Sequence, residues 1–316
     1  MGQTVHPRSA QVLLRAPLLA LLLLLISLAS PATSLAQAAH FNGAKALEYA
    51  RQLVACGPRF NGSPGLTCAQ DFLKKQFAHD NLQDDSFTAS TPAGLQSMHN
   101  FIVRFPGKKD GVIVLASHYE TNYYLRNTSF VGANDGAATT GLLIEIANHL
   151  RGRMLDGYSV WLVFTDGEES VSGQWSHSDS LYGSRHLAAK WQNDGTLKRI
   201  KAVLIADMIG DKDLDVLRDE NSTPWLEDLV GEAAKKTGNS SHFFKSRNTI
   251  EDDHLPFMQR GVPCADVIDE NYGPHDSAHP DGWHHTPEDT LDKISANSLT
   301  ISGEVFLEAI RLIDAR

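Results

Sequence analysis

The chain has 316 residues and a formal net charge of -10. That length suits one large α/β domain with a well-buried core. The acidic balance argues against nucleic acid as a partner, because nucleic acid requires a basic face.

Reading in chain order, Arg8 and Arg15 precede an apolar run from Leu18 to Leu28, and a small-x-small site, Ser34-Leu35-Ala36, follows. This pattern describes a secretory signal peptide over residues 1–36, with residues 37–316 as a single domain. The run is short for a transmembrane helix, so membrane association is expected only if the segment stays uncleaved. Export places the protein in a periplasm or outside the cell, where disulfides are permitted. Cys56 and Cys68 flank the turn-rich GPRFNGSPG and either pair or pack as small thiols. Cys264 lies in an apolar run and is expected to be buried.

Helical spacing of apolar residues predicts helices over Ala44 to Leu53 and Leu66 to Phe77. Strands are predicted over Met98 to Phe105, Gly111 to Ala116, Val160 to Phe164, Ala202 to Ile205 and Val262 to Ile268. Helices fall between them, at Ala138 to Leu150, Gly183 to Lys190 and Thr223 to Lys236, with a last one from about Ala296 to Ile313. The alternation implies an α/β three-layer sandwich, with a central, mostly parallel mixed twisted sheet and helices on both faces.

Polar residues cluster where those strands end. His118 follows one strand, Asp166, Glu168 and Glu169 follow another, Asp207 follows a third, and Asp266 lies within the last. Ligands of open α/β sheets bind beyond the carboxyl ends of the strands. Singly, each residue has a plainer reading. Asp135 in GANDGA could cap the next helix. Glu168-Glu169 could be a solvated charge pair, and His285 in HHTPEDT a surface histidine. Together they suit zinc, which takes a few O and N ligands and leaves one position open. A carboxylate beside the metal can carry protons. His118 and Asp207 would supply a second metal, with Asp135 bridging, or hydrogen-bond around a single zinc.

In order, His118, Asp135, Glu168-Glu169, Asp207 and His285 resemble the M28 family of zinc peptidases. Within it, the chain is most similar to the animal-type glutaminyl cyclases. The resemblance runs from GSPG at Gly62 to DKI at Ile294, through SHYET, FVGAND, DGEES, WSHSDSLYGSRHLA, ADMIG, IEDDHLPFMQRGVP and WHHTPEDTLDKI. The segments DSLYGSRHLA and EDDHLPF separate the cyclases from the aminopeptidases. The resemblance implies one zinc held by Asp135, Glu169 and His285, with Glu168 as proton carrier. It makes Asp207 and Asp252 the acids networked with Glu168, and Trp175 a wall of the substrate pocket. Asp266 stands where the animal enzymes carry a His and is expected in that wall as well. Ser117 and Thr140 stand near the position of their cysteine pair, and the loop from Asp269 to Gly282 is longer, with His275 and His279. Trp283 and His284 fall beside the ligand His285.

The implied reaction closes an N-terminal Gln into pyroglutamate with release of ammonia, so the partners are peptides or proteins with a free N-terminus. The alternative is an aminopeptidase with two zincs held by His118, Asp135, Glu169, Asp207 and His285. A non-catalytic binding ectodomain would have shed ligands or base, and here every one is present.

Overall fold

The computed structural model describes residues 1–4, 40–277 and 279–316, and all but the first four residues of the signal-peptide reading lie outside these. Residues His40–Arg316 form one compact unit. Its elements are α1 (Gly43–Val54), α2 (Pro64–Gln76), β1 (Asn81–Thr91), β2 (Gly94–Phe105), β3 (Gly107–His118) and α3 (Thr139–Leu150). They continue with β4 (Leu155–Thr165), α4 (Tyr182–Asn193), β5 (Ile200–Asp207), β6 (Val216–Asp219), α5 (Pro224–Lys236) and β7 (Phe243–Asn248). A short α6 (Leu255–Met258), β8 (Cys264–Ile268) and α7 (Ala296–Ala315) complete the unit.

Six strands form one sheet in the order β1-β2-β4-β3-β5-β8. β4, β3, β5 and β8 run parallel, while β1 and β2 add antiparallel pairs at one edge. The period-two alternation of side chains divides the apolar residues between two cores. Ile113, Leu115, Leu162, Phe164, Leu204 and Val267 face the large cluster built with α1, α3 and α7. Val114, Ala116, Val163, Val203, Ile205 and Cys264 face the other, with Leu187, Ala188 and Trp191 of α4. The expected mixed, mostly parallel sheet between two helical layers is therefore present.

Strand β1 and the parallel pair β6-β7 were not legible in the sequence. In β1, NLQDDSFTAST, only Asp85 and Ala89 are buried. A polar edge strand presents no apolar stripe to read, and its identity comes from pairing with β2. Local chemistry did mark several helix starts. Ser63 accepts a hydrogen bond from the Leu66 amide with Pro64 at the first helical position, and Ser295 caps α7 the same way.

Cys56 and Cys68 are bonded, with Cα atoms 5.6 Å apart, joining the end of α1 to α2. Cys264 is buried and free, and burial pushes its thiol up. Replacing Cys56 and Cys68 with Ser is expected to lower unfolding free energy by about 3 kcal/mol, because their short loop is no longer closed in the unfolded chain. A urea titration checks this, and an unchanged midpoint would show that the bond constrains nothing.

A second prediction concerns Glu227, buried on α5 while its neighbour Arg218 pairs with Asp228 at 2.7 Å. Burial lifts its carboxyl from 4.5 to about 8. A carboxyl raised in the folded state stabilises fully below its unfolded value. That contribution fades as pH climbs from about 4.5 through about 8. Glu227→Gln should therefore leave stability near pH 5 little changed and raise it at pH 8.5 by about 1–3 kcal/mol. Equal effects at both pH values would contradict the assignment.

Candidate metal centre and its cavity

Four parallel strands end at one edge of the sheet and bring the candidate residues together. His118 closes β3 opposite Thr165, the last residue of β4, and Asp207 closes β5 opposite Ile268, the last of β8. After β4 the chain turns sharply through Gly167, at φ 75°, and presents Glu168 and Glu169. Glu120 holds this turn. Its buried Oε1 accepts the amides of Glu168 at 2.7 Å and Glu169 at 3.2 Å. Glu168 and Glu169 are themselves buried, so the reading of a solvated charge pair does not hold.

Asp135 is not a helix cap. The segment Ala133–Ala138 breaks at Asp135 and Gly136 before α3 begins, and no side chain caps it. Gly136 sits at φ 90°, and a Cβ there would lie 3.0 Å from the His118 ring. Only glycine meets both conditions cheaply. Asp289 fixes the loop from the other side, accepting the amides of Asn134 at 2.8 Å and Asp135 at 3.2 Å. Tyr272 donates its hydroxyl to the same carboxyl.

His285 Nε2 lies 3.0 Å from Glu169 Oε1 and 3.5 Å from Asp135 Oδ2. Asn122 donates its amide to the other oxygen of Glu169. Tyr124 Oη lies 2.9 Å from His285 Nδ1. With Nδ1–H given to that tyrosine, Nε2 would turn a lone pair toward two carboxylates. The amide of Asn122 also lies 3.1 Å from Nε2. A cation here would satisfy the facing carboxylates, and an outer hydrogen bond of this kind is the usual way a ligating histidine is oriented. Asp135 Oδ2 is buried without a hydrogen-bond partner. Asp135, His284 and His285 bring ligand atoms within 4.8 Å of one another, with Glu169 beside His285, and this set suits a small divalent ion by donor chemistry and burial.

The second group expected is assembled too. His118 Nε2 lies 3.0 Å from Asp135 Oδ1 and 3.5 Å from Asp207 Oδ1, and neither of its ring nitrogens has a well-aligned hydrogen bond. Burial works against ionisation of Asp135, yet the close approach and charge of His118 hold its carboxyl well below the usual range. Burial, then the charges of Glu169 and Asp252, push Glu168 well up. Burial and then Asp207 do the same to Asp252.

These groups open on a cavity of about 440 Å³. Its wall includes Asp135, Glu168, Glu169, Asp207, Asp252, His284 and His285, with Trp175 as an aromatic side. The indole of Trp175 is half-exposed and donates to Glu251 Oε2 at 3.2 Å. Asp179 ties the loop that carries it, accepting the amides of Val171 and Ser172 and the hydroxyl of Tyr182.

Asp266 is a correction. Expected in the substrate wall, it is fully buried and absent from the cavity lining. The reason is register. Ile268 at the end of β8 reaches the cavity, and Asp266 lies two residues back on the same face, about 6.6 Å deeper. Its amide donates to Ser222 Oγ at 2.8 Å, its carboxyl approaches His254 Nδ1 at 4.0 Å, and burial followed by the charges of Asp252 and Asp207 pushes that carboxyl well up. Trp283 packs against Tyr272 and is likewise outside the wall, whereas His284 is in it.

Sequence reasoning assigned no role to Glu120, Asn122, Tyr124, Asp179 or Asp289. Glu120 and Asp289 stand inside the quoted stretches SHYET and WHHTPEDTLDKI. Their roles, however, are contacts across more than forty residues of chain, which no local pattern expresses.

A model of peptidase family M28 matches residues 100–310. The glutaminyl-peptide cyclotransferase of Drosophila melanogaster is 29% identical over 264 residues, covering 75% of this chain and 72% of that protein. The glutaminyl-peptide cyclotransferase of Gloydius blomhoffii is 30% identical over 290 residues, covering 79% and 76%. Among solved structures, an Acidobacteriales bacterium glutaminyl cyclase superposes with a TM-score of 0.88 at 59% identity, covering 91% of this chain and all of that one.

The buried acids give a direct test of the metal reading. After exhaustive chelation, one equivalent of zinc should raise the thermal midpoint by several degrees, since an ion at a hundred times its Kd adds about 2.7 kcal/mol. Asp135→Asn should remove most of that rise. An unaltered midpoint on adding zinc would refute the metal reading.

Proposed function

The chain belongs to peptidase family M28, and we propose that it is a zinc-dependent glutaminyl cyclase, an acyltransferase that converts the N-terminal Gln of peptides to pyroglutamate and ammonia. The observation that carries this reading is the likeness to a bacterial glutaminyl cyclase over nearly the whole chain, at 59% identity. We assign one zinc to Asp135, Glu169 and His285. Bound there, it supplies a Lewis acid that polarises the side-chain amide of the substrate.

The chain's own residues do the rest. Glu168, on the cavity wall and next in sequence to the ligand Glu169, takes a proton from the α-amine. The amine nitrogen then bonds to the amide carbon of its own side chain. As the carbon–nitrogen bond to the amide group breaks, Glu168 returns the proton and ammonia leaves. Asp252, buried beside Glu168, sets the charge around it, and Asp207 adds to that network. Trp175 gives the apolar side that keeps water from competing with the amine. The protein is exported on its N-terminal segment, and its partners are peptides or proteins with a free amino terminus.

One observation favours a second reading, an aminopeptidase with two zincs: His118, Asp135 and Asp207 stand close enough to hold another ion. The chemistry then changes, because Glu168 would activate water to attack the first peptide bond.

Two substrates separate the readings. A Gln-initiated dipeptide should lose its free amine and release ammonia, while Leu-p-nitroanilide stays intact. Hydrolysis of the anilide without cyclisation would overturn the proposal, as would two tightly held zincs per chain for the one-zinc assignment. Glu168→Gln should keep its zinc and lose roughly 10²- to 10⁴-fold in kcat, the range for a lost proton carrier. Near-normal turnover in that variant would remove Glu168 from its role.

A further inference from the structure

Two carboxylates at the mouth of the cavity take no part in the chemistry above. Glu251 directly precedes Asp252, and Glu270 lies two residues beyond the end of β8; both line the cavity. Each is held by a neutral donor. Glu251 Oε2 accepts from the indole of Trp175 at 3.2 Å, and Glu270 Oε2 accepts from the amide of Asn248 at 2.7 Å. The nearby basic residues of β7 are committed elsewhere, Lys245 to Asp215 at 3.3 Å and Arg247 to Glu220 at 3.7 Å. Among the described residues, no Lys or Arg lines the cavity.

The space these carboxylates rim is built for a ligand. Asp252, next to Glu251, lines the cavity at 4% exposure, and its buried Oδ2 has no hydrogen-bond partner. Trp175 links rim to interior, since it walls the cavity and tethers Glu251. A substrate whose first residue sits at Glu168 advances about 3.5 Å per residue toward solvent. Its second and third side chains would then meet the outer wall of the same cavity, which Glu251 and Glu270 line.

We propose that Glu251 and Glu270 make this protein select peptides with Lys or Arg within two residues after the N-terminal Gln. The inference rests on the cyclase reading and adds to it a class of substrate. Hydrogen bonds from neutral donors orient the two carboxylates without neutralising them, so a cationic side chain gains attraction without displacing an existing ion pair. Like charge at the same place is repelled, so acidic peptides are disfavoured. Exposed pairs of this kind are individually modest and sensitive to salt.

The test compares kcat/KM for Gln-Lys-amide, Gln-Ala-amide and Gln-Glu-amide on the zinc-loaded protein. The expected order is Lys, then Ala, then Glu, with Lys over Ala roughly five- to tenfold, carried by KM. Raising sodium chloride from about 50 to about 500 mM should shrink that ratio, as screening of an exposed pair requires. In Glu251→Gln combined with Glu270→Gln the ratio should fall toward one. Glu48→Gln, an exposed change on α1, should leave it as it was. A Lys-to-Ala ratio near one, with Gln-Ala-amide still cyclised, overturns the inference and leaves the cyclase reading standing. A ratio that survives in the double variant removes the two glutamates from the role. Failure to cyclise any of the three peptides overturns both.

Discussion

Asp135, Glu168, Glu169 and Asp252 are all buried at one edge of one sheet, and nothing in a protein interior tolerates that much like charge unaided. The fold answers in three ways. Asp135 and Glu169 face a single imidazole nitrogen across a gap suited to a divalent ion. Burial and then the charges of Glu169 and Asp252 drive Glu168 toward its neutral form, and burial and then the charge of Asp207 do the same to Asp252. Glu120 spends its own carboxylate on the amides of the Glu168-Glu169 turn, fixing the backbone from which both side chains project. Parallel strands make the cluster possible, because their carboxyl ends reach the same edge in register.

Adjacent residues in this turn meet different surroundings. Glu169 is held by Asn122 and lies against His285, so its oxygens are committed to the ligand cluster. Glu168 is left to face the cavity beside Asp252. One acid suits coordination and the other proton transfer, although they are chemically identical. The same cluster would serve peptide hydrolysis, so the metal centre does not by itself choose between cutting a peptide and closing a ring. Around the cluster stand the walls: the loop of Trp175 tied down by Asp179, and the segment carrying Glu251 and Asp252.

Much of the architecture was legible in the chain. Apolar runs marked the buried parallel strands, because such strands are covered on both faces and need continuous apolar residues. The polar residues just beyond those runs marked the functional edge, since the runs also show where each strand stops. Strand β1 escaped for the opposite reason, being a polar edge. Asp266 was misjudged because its place in a strand sets its face but not its depth below the rim.

The sequence by itself determined the layered sheet and the edge at which Asp135, Glu168, Glu169, Asp207 and His285 gather, because apolar runs show where each strand stops and polar residues follow. The division of those residues into metal ligands and proton carrier came from the family resemblance. Only the tertiary structure decided that Cys56 and Cys68 are bonded, that Asp266 is fully buried, and that Glu120, Tyr124 and Asp289 hold the Glu168-Glu169 turn, His285 and the Asp135 loop in place. Those contacts join residues from separate strands and loops. Their geometry is set by how the elements pack, which a pattern of neighbours along the chain does not encode.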